Sequence, residues 1–179
     1  MSALNPKISR TAKLFLAGSQ HSLAVENLPR IINCLNMLPE KEIWWRPNSA
    51  SNSVGNLVLH LSGNITQWII SGLGGAPDTR ERDLEFAECG PIPRTKLAAR
   101  IRRAVREACI VLDNLSEESL SQNYNIQGFR VTGMYAVSHV SEHFAYHTGQ
   151  IIFVTKLKRG KDLGFTHLPA IRPNKSVTK

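Results

Sequence analysis

The stretch Ser138–Gln150, SHVSEHFAYHTGQ, decides how the rest of the chain is read. Three of the six histidines, His139, His143 and His147, fall within it at four-residue steps. Each such step turns an α-helix by only ~40°, so the three imidazoles stack along one side. Ala136, Val140, Gln150, Val154 and Leu157 are predicted on that side too, which sets the histidines in a mostly apolar stripe. Polar rings aimed into a core need partners. For a lone histidine, other side chains suffice as partners; for a stacked set, a shared metal is the better reading.

Working outward, the helix that carries this stretch is predicted over 132–158. Just upstream, NYNIQGFRVTG is β-prone around a central Gly and reads as a short hairpin or an extended crossing. A third helix is predicted over 95–114, with Leu97, Ile101, Val105, Ala108, Leu112 and Leu115 as its inner stripe and its arginines outside. Residues 74–94 read as a long crossing loop with Gly and Pro at both ends. Asp83, Glu85 and Glu88 lie in it and are read as solvated carboxylates. Ser53 is the predicted N-cap of a second helix that ends near Gly72 to Gly75. His60 sits at the edge of its apolar face, close in angle to Asn64 and Trp68. A first helix over 10–38 should kink or divide at Pro29. His21, in its first half, reads as a surface residue or one behind a site, and Trp44 and Trp45 read as anchors for the following loop. Four long helices, no repeats and one long crossing predict an all-α, antiparallel four-helix bundle.

The length suits one domain, placed at 1–165, with 166–179 read as a flexible basic tail that contains His167. The net charge of +8 is concentrated in Arg94, Lys96, Arg100, Arg102, Arg103 and Arg106 and in the tail. With no reading motif or interleaved aromatics beside these cations, a solvated helix face is favoured over nucleic-acid contact. Cys34, Cys89 and Cys109 make no CxxC pair, which argues against a zinc knuckle or a disulfide framework. With no apolar run of membrane length and no signal-type h-region near the N-terminus, a cytoplasmic protein is expected. The side of the fourth helix away from the histidines carries Ser138, Ser141, Ala145 and Gly149. Such a row admits another helix closely, and a homodimer is the favoured occupant.

His143 and His147 on one helix, with His60 inward on another, make a three-histidine set. Neutral imidazole suits zinc, nickel, copper or iron. Three protein ligands leave positions for water or substrate, the pattern of a reactive site.

With NSVGNLVLHLSGN around His60, RERDLEF in the long loop, and HVSEHFAYHTGQI followed by KLKRGKDLGF, the chain resembles the DinB-like superfamily of metal-binding four-helix bundles. That superfamily includes proteins described as metal-dependent hydrolases and low-molecular-weight-thiol S-transferases. The resemblance implies an up-down-down-up bundle, recurrent homodimers, and a metal triad of His60, His143 and His147. His139 then stands one turn too early and becomes a substrate contact or a support behind the ligands; a slipped register would instead pair His139 with His143.

The expected cofactor is a divalent transition metal, zinc or nickel first, with iron and manganese as alternatives, joined by a small thiol in the transferase reading. Such a site activates either the thiol or water towards a small-molecule substrate. Asn64 and Gln150 lie near the histidine faces and are candidates for orienting ligands or substrate. Glu142 lies about 100° round the helix from His143 and is expected at the rim. No residue is assigned as the central acid or base. A metal-binding stress-associated protein without catalysis is the alternative.

Overall fold

Three of the four long helices open on a hydroxyl side chain that covers free N–H groups of the first turn. The computed structural model describes residues 8–165; the predicted basic tail, with His167, lies outside them. Ser9 caps α1 (Arg10–Gln20) by accepting from the Ala12 amide at 3.2 Å. The break expected at Pro29 takes the form of a π-helical segment, His21–Asn27, ahead of α2 (Leu28–Met37). Proline offers no N–H to the carbonyl four residues back, and its ring crowds that group. A wider turn before it relieves the crowding. The Asn27 amide then donates to the Ser22 carbonyl at 2.8 Å.

A short turn, α3 (Glu40–Ile43), leads into Trp44. A Cβ at Gly55 or at Gly90 would fall 2.8 or 2.7 Å from the Trp44 ring, so this ring is packed between two bare backbones. Ser53 caps α4 (Val54–Ile65) as expected, in a reciprocal capping box with Asn56. Every residue of α4 is buried, and a second π-helical segment, Thr66–Ser71, continues it. The long connection that follows is not structureless: it folds one short helix, α5 (Arg82–Ala87), which packs on α4.

After Pro93, α6 (Arg94–Asp113) turns Leu97, Ile101, Val105, Ala108 and Leu112 inward, while Arg100, Arg102, Arg103 and Arg106 are exposed. Then come α7 (Glu117–Ser121) and the hairpin of β1 (Asn123–Ile126) and β2 (Phe129–Thr132), whose register pairs Ile126 with Phe129. Gln127 (φ 53°) and Gly128 (φ 82°) are both left-handed, as a two-residue primed turn requires. Thr132 caps α8 (Gly133–Arg159), which closes on left-handed Gly160.

The first helical run (α1, its π segment and α2) packs against α6 and α8, and so does α4 with its own π segment. The four long helices thus surround one core, which includes Leu35, Leu61, Ile65, Ile101, Leu112 and Phe144, all fully buried. The protein is a mostly helical bundle with a two-stranded hairpin at its side. Among the described residues no helix is long and apolar enough to cross a membrane.

Candidate metal centre

The centre is built where α8 passes α4. On α8 the buried positions are Gly133, Ala136, Val137, Val140, Phe144, Thr148, Ile151 and Thr155. Thr148 and Thr155 are tolerated there because each hydroxyl donates to the carbonyl four residues back, at 2.7 Å. His139, His143 and His147 lie at the border of that face and are half-buried, not embedded in an apolar stripe. Gln150 and Leu157, predicted beside them, are exposed.

His60 comes from the middle of α4 and is 5% exposed. One ring nitrogen from each of His60, His143 and His147 lies within 4.8 Å of the other two. The Nε2 atoms of His60 and His143 stand 2.8 Å apart. Two imidazole lone pairs cannot face each other so closely without a proton or a cation between them.

The tautomers follow from the other ring nitrogens. His147 Nδ1 is 2.6 Å from Gln150 Oε1, an acceptor, so Nδ1 carries the proton and Nε2 keeps its lone pair. His60 Nδ1 is 3.0 Å from Glu85 Oε2. Burial alone would raise the Glu85 carboxyl, but hydrogen bonds from Arg80 and His60 outweigh it and hold the group below its usual range. Glu85 is therefore a carboxylate, His60 Nδ1–H donates to it, and His60 Nε2 is left for a metal. The 3.1 Å approach of Arg80 Nη2 to His60 Nδ1 is then a contact of two donors that share one carboxylate. Burial, then the neighbouring His147, His60 and His139, then Arg80, push the His143 imidazole down to about 3. Burial also lowers His147, against a raising bond from Gln150. Neutral imidazoles are the form that binds metal, so the donor set fits a borderline transition-metal cation.

Glu85 corrects the sequence reading, which took it for a solvated loop carboxylate. Its side chain is 6% exposed and forms a two-pronged pair with Arg80, itself 4% exposed, at 2.8 Å on both arms. Arg80 Nη1 continues to Gln67 Oε1 at 2.9 Å, and Gln67 Nε2 to Asp78 at 2.8 Å. Phe86, the next residue of α5, packs on the His60 ring at 4.7 Å. The loop is held down by Asn56, whose amide donates to the carbonyls of Glu85 and Glu88 at 2.9 and 2.8 Å, and by Arg46, which donates to Phe86 and Glu88. Gly63 completes the seat: a Cβ there would overlap the Glu85 carboxylate. Gly63→Ala is expected to push Glu85 and Arg80 off His60 and to weaken metal binding about tenfold, the low end for loss of an outer partner. A chelator competition on the purified variant measures it.

The remaining predicted residues divide. His139 stacks with Trp68 at 4.1 Å and with His143 at 5.4 Å, beside the cluster but outside its set of converging nitrogens. Burial lowers its pKa more than nearby Glu142 raises it. Asn64 is buried one turn from His60 and lines the adjoining cavity. Glu142 is exposed and accepts from Ser138 at 2.9 Å, on the outer side of α8. His21 is distant from the centre in chain position and is exposed, near Glu26 at 3.8 Å. Arg80 and Asp78 had no sequence signal apart from their place in the charged loop, and Gln67 had none on its helix.

The arrangement of long helices defines a DinB-like fold. Residues 13–171 match the family described as "Protein of unknown function (DUF1572)", and the chain belongs to that family. A DinB-like protein from Bacillus subtilis is similar at 17% identity and TM-score 0.60, over 80% of this chain and 93% of that one. A conserved protein from Enterococcus faecalis is 18% identical at TM-score 0.65, over 87% and 99%. A DinB-like protein from Bacillus cereus is 16% identical at TM-score 0.61, over 83% and 92%. No curated protein matches the chain.

Proposed function

We propose that the protein is a metal-dependent enzyme that uses His60, His143 and His147 to hold a divalent transition metal, zinc or nickel before iron or manganese. The carrying observation is the meeting of three imidazole nitrogens, with two of the rings oriented by acceptors on their far sides. A metal held by three neutral ligands keeps open positions and makes a bound thiol or water a stronger nucleophile at neutral pH.

A small thiol is favoured over water as the activated group, which makes the protein an S-transferase with a hydrolase as the second reading. The cavity at the centre is lined by His60, Asn64, His139 and His143 but by no Asp or Glu among the described residues. Glu85, the carboxylate nearest the histidines by contact, is saturated by Arg80 and His60. Attack by water usually needs a general base within reach. A thiol that coordinates a metal loses its proton outright. Within the protein, Glu85 keeps His60 in the correct tautomer, Gln150 does the same for His147, and Trp68 and Phe86 shield the rings from solvent.

Elemental analysis of untagged protein, purified without a nickel column, is expected to find close to one transition-metal ion per chain. Loaded protein incubated with small thiols and an electrophile panel should release thioether products, while an ester and amide panel stays intact. Metal-bound protein that turns over neither panel would leave the non-catalytic, metal-binding reading, and metal-free protein would overturn both. Ester or amide cleavage without thiol would favour the hydrolase.

The proposal includes a cytoplasmic homodimer. Ala145 and Gly149 of the small-residue row are exposed, and further round the same open surface of α8 Tyr146 and Phe153 are 64 and 68% exposed. Large apolar residues gathered on one open helix face favour a partner. Phe153→Glu is expected to turn a dimer into a monomer in light scattering behind size-exclusion chromatography, with metal content unchanged.

A further inference from the structure

Beside the histidine centre lies a cavity of about 250 Å³. His60 and His143 border it, so a molecule seated there is next to the proposed metal. Its lip is formed by Phe129 and Val131 of β2 and by Tyr135 in the first turn of α8. Phe129 and Tyr135 are 60 and 54% exposed. Large apolar side chains left open around one concavity mark a ligand surface. The charged side chains nearby are already committed. Arg80 is matched by Glu85, His60 donates to the same carboxylate, and Arg82 is turned onto the Phe86 ring. No carboxylate among the described residues lines the cavity.

The hairpin tip that carries Phe129 is held down by a residue in an unfavourable backbone conformation. Gln127 has φ 53°, a left-handed backbone that Gly or Asn enters more easily. Its side chain gives the reason: Oε1 accepts from Trp68 Nε1 at 3.1 Å and ties the turn to the helix that carries Trp68. The Trp68 ring then stacks with Phe129 at 6.5 Å between centroids. Trp68 is only 3% exposed, so it is the floor that supports the lip, and the open contact surface belongs to Phe129 and Tyr135. A disfavoured conformation kept beside a cavity is a pointer to function.

We infer that this hairpin lip is the specificity surface for the second reactant, and that it receives an apolar ring of about benzyl size on that molecule's non-reacting end. The cavity is smaller than the ~300–1,000 Å³ that encloses a whole drug-sized ligand, so it suits one such group. The inference deepens the metal-dependent reading, which makes the bound molecule a reactant. The recognition itself belongs to the lip and needs no metal.

Benzyl alcohol serves as the probe and ethanol as the analogue without the ring. Both are titrated by NMR into full-length protein labelled at Val, Phe and Tyr, metal-loaded and chelator-treated. Benzyl alcohol is expected to bind at least about tenfold more tightly than ethanol, a modest share of what removing a ring from water supplies. The shifts should centre on Phe129, Val131 and Tyr135. Phe129→Ala should weaken benzyl alcohol about fivefold, while Leu14→Ala, an equally exposed apolar site on α1, should not. Gln127→Gly suits the left-handed turn and removes the tie to Trp68, so it should weaken the probe without unfolding the hairpin.

No preference for the ring, shifts spread away from the lip, or an unchanged affinity in Phe129→Ala or Gln127→Gly would each overturn the inference. So would Phe129 and Tyr135 signals that move with protein concentration and not with probe, which would give the lip to a second copy of the chain. A ring preference in protein that turns over neither panel leaves the lip standing and removes the enzymatic reading. Turnover of the thiol panel without a ring preference does the reverse.

Discussion

Glu85→Ala is expected to weaken metal binding ten- to hundredfold and to destabilise the metal-free fold by about 3–5 kcal/mol. Two losses add. The first is the tautomer: without an acceptor at Nδ1, the His60 proton is free to move to Nε2, where it blocks the nitrogen that faces His143 at 2.8 Å. The second is electrostatic. Arg80 is 4% exposed and spends two of its nitrogens on Glu85, so deleting the carboxylate strands a buried cation. Denaturant midpoints of chelated protein read the second loss, and competition with a metal indicator reads the first. A double variant, Glu85→Ala with Arg80→Met, separates them, because it removes both charges together. Stability should largely return while metal affinity stays low. If the double variant recovers both, Glu85 holds the loop and not the histidine. The pair is also sensitive to acid. Glu85 titrates below its unfolded value, so its contribution is complete above the ordinary carboxylate pKa and is lost as the pH falls through the folded one.

The parts of this site that lie on long helices were legible in the sequence, and the part on a short one was not. His60 stands in twelve consecutive buried residues of α4, and its capping serine marked where that helix starts. His143 and His147 declared themselves by a four-residue step within 27 helical residues. Glu85 sits in a helix of six residues, too short for any period to show which side faces in. Its burial is decided by residues distant in the chain: His60, the Asn56 amide on the loop carbonyls, and the bare backbone at Gly63. The α8 stripe was misplaced for a related reason. A four-residue step drifts by ~40° a turn, so a row that starts at Ala136 leaves the core before it reaches Leu157. The buried face follows Phe144, Thr148, Ile151 and Thr155 instead, with two threonines that hydropathy alone would not have turned inward. The same drift is useful to the site, since it leaves the histidines half open to the cavity.

The choice of histidine pair on α8 carries the largest effect and has a direct test. His147→Ala is expected to lower metal affinity by more than the ~100-fold that loss of an outer partner produces, because it removes a ligand. His139→Ala should leave metal affinity nearly unchanged. The geometry separates them clearly. His147 faces His60 edge-on with ring centroids 5.1 Å apart and meets His143 at 4.4 Å, and Gln150 fixes its Nδ1 proton. His139 instead lies nearly parallel to His143 and against Trp68, an arrangement that presents ring faces and not nitrogen lone pairs to its neighbours. Both are half-buried on the same helix, so the two alanine variants have comparable folding costs and the comparison is internal. Metal content and indicator competition on the two proteins decide the matter. Should His139→Ala release the metal and His147→Ala retain it, the register slips by one turn and the pair becomes His139 and His143. Retention in both would remove α8 as the source of two ligands, and the centre would have to be rebuilt from His60 and Glu85 outward.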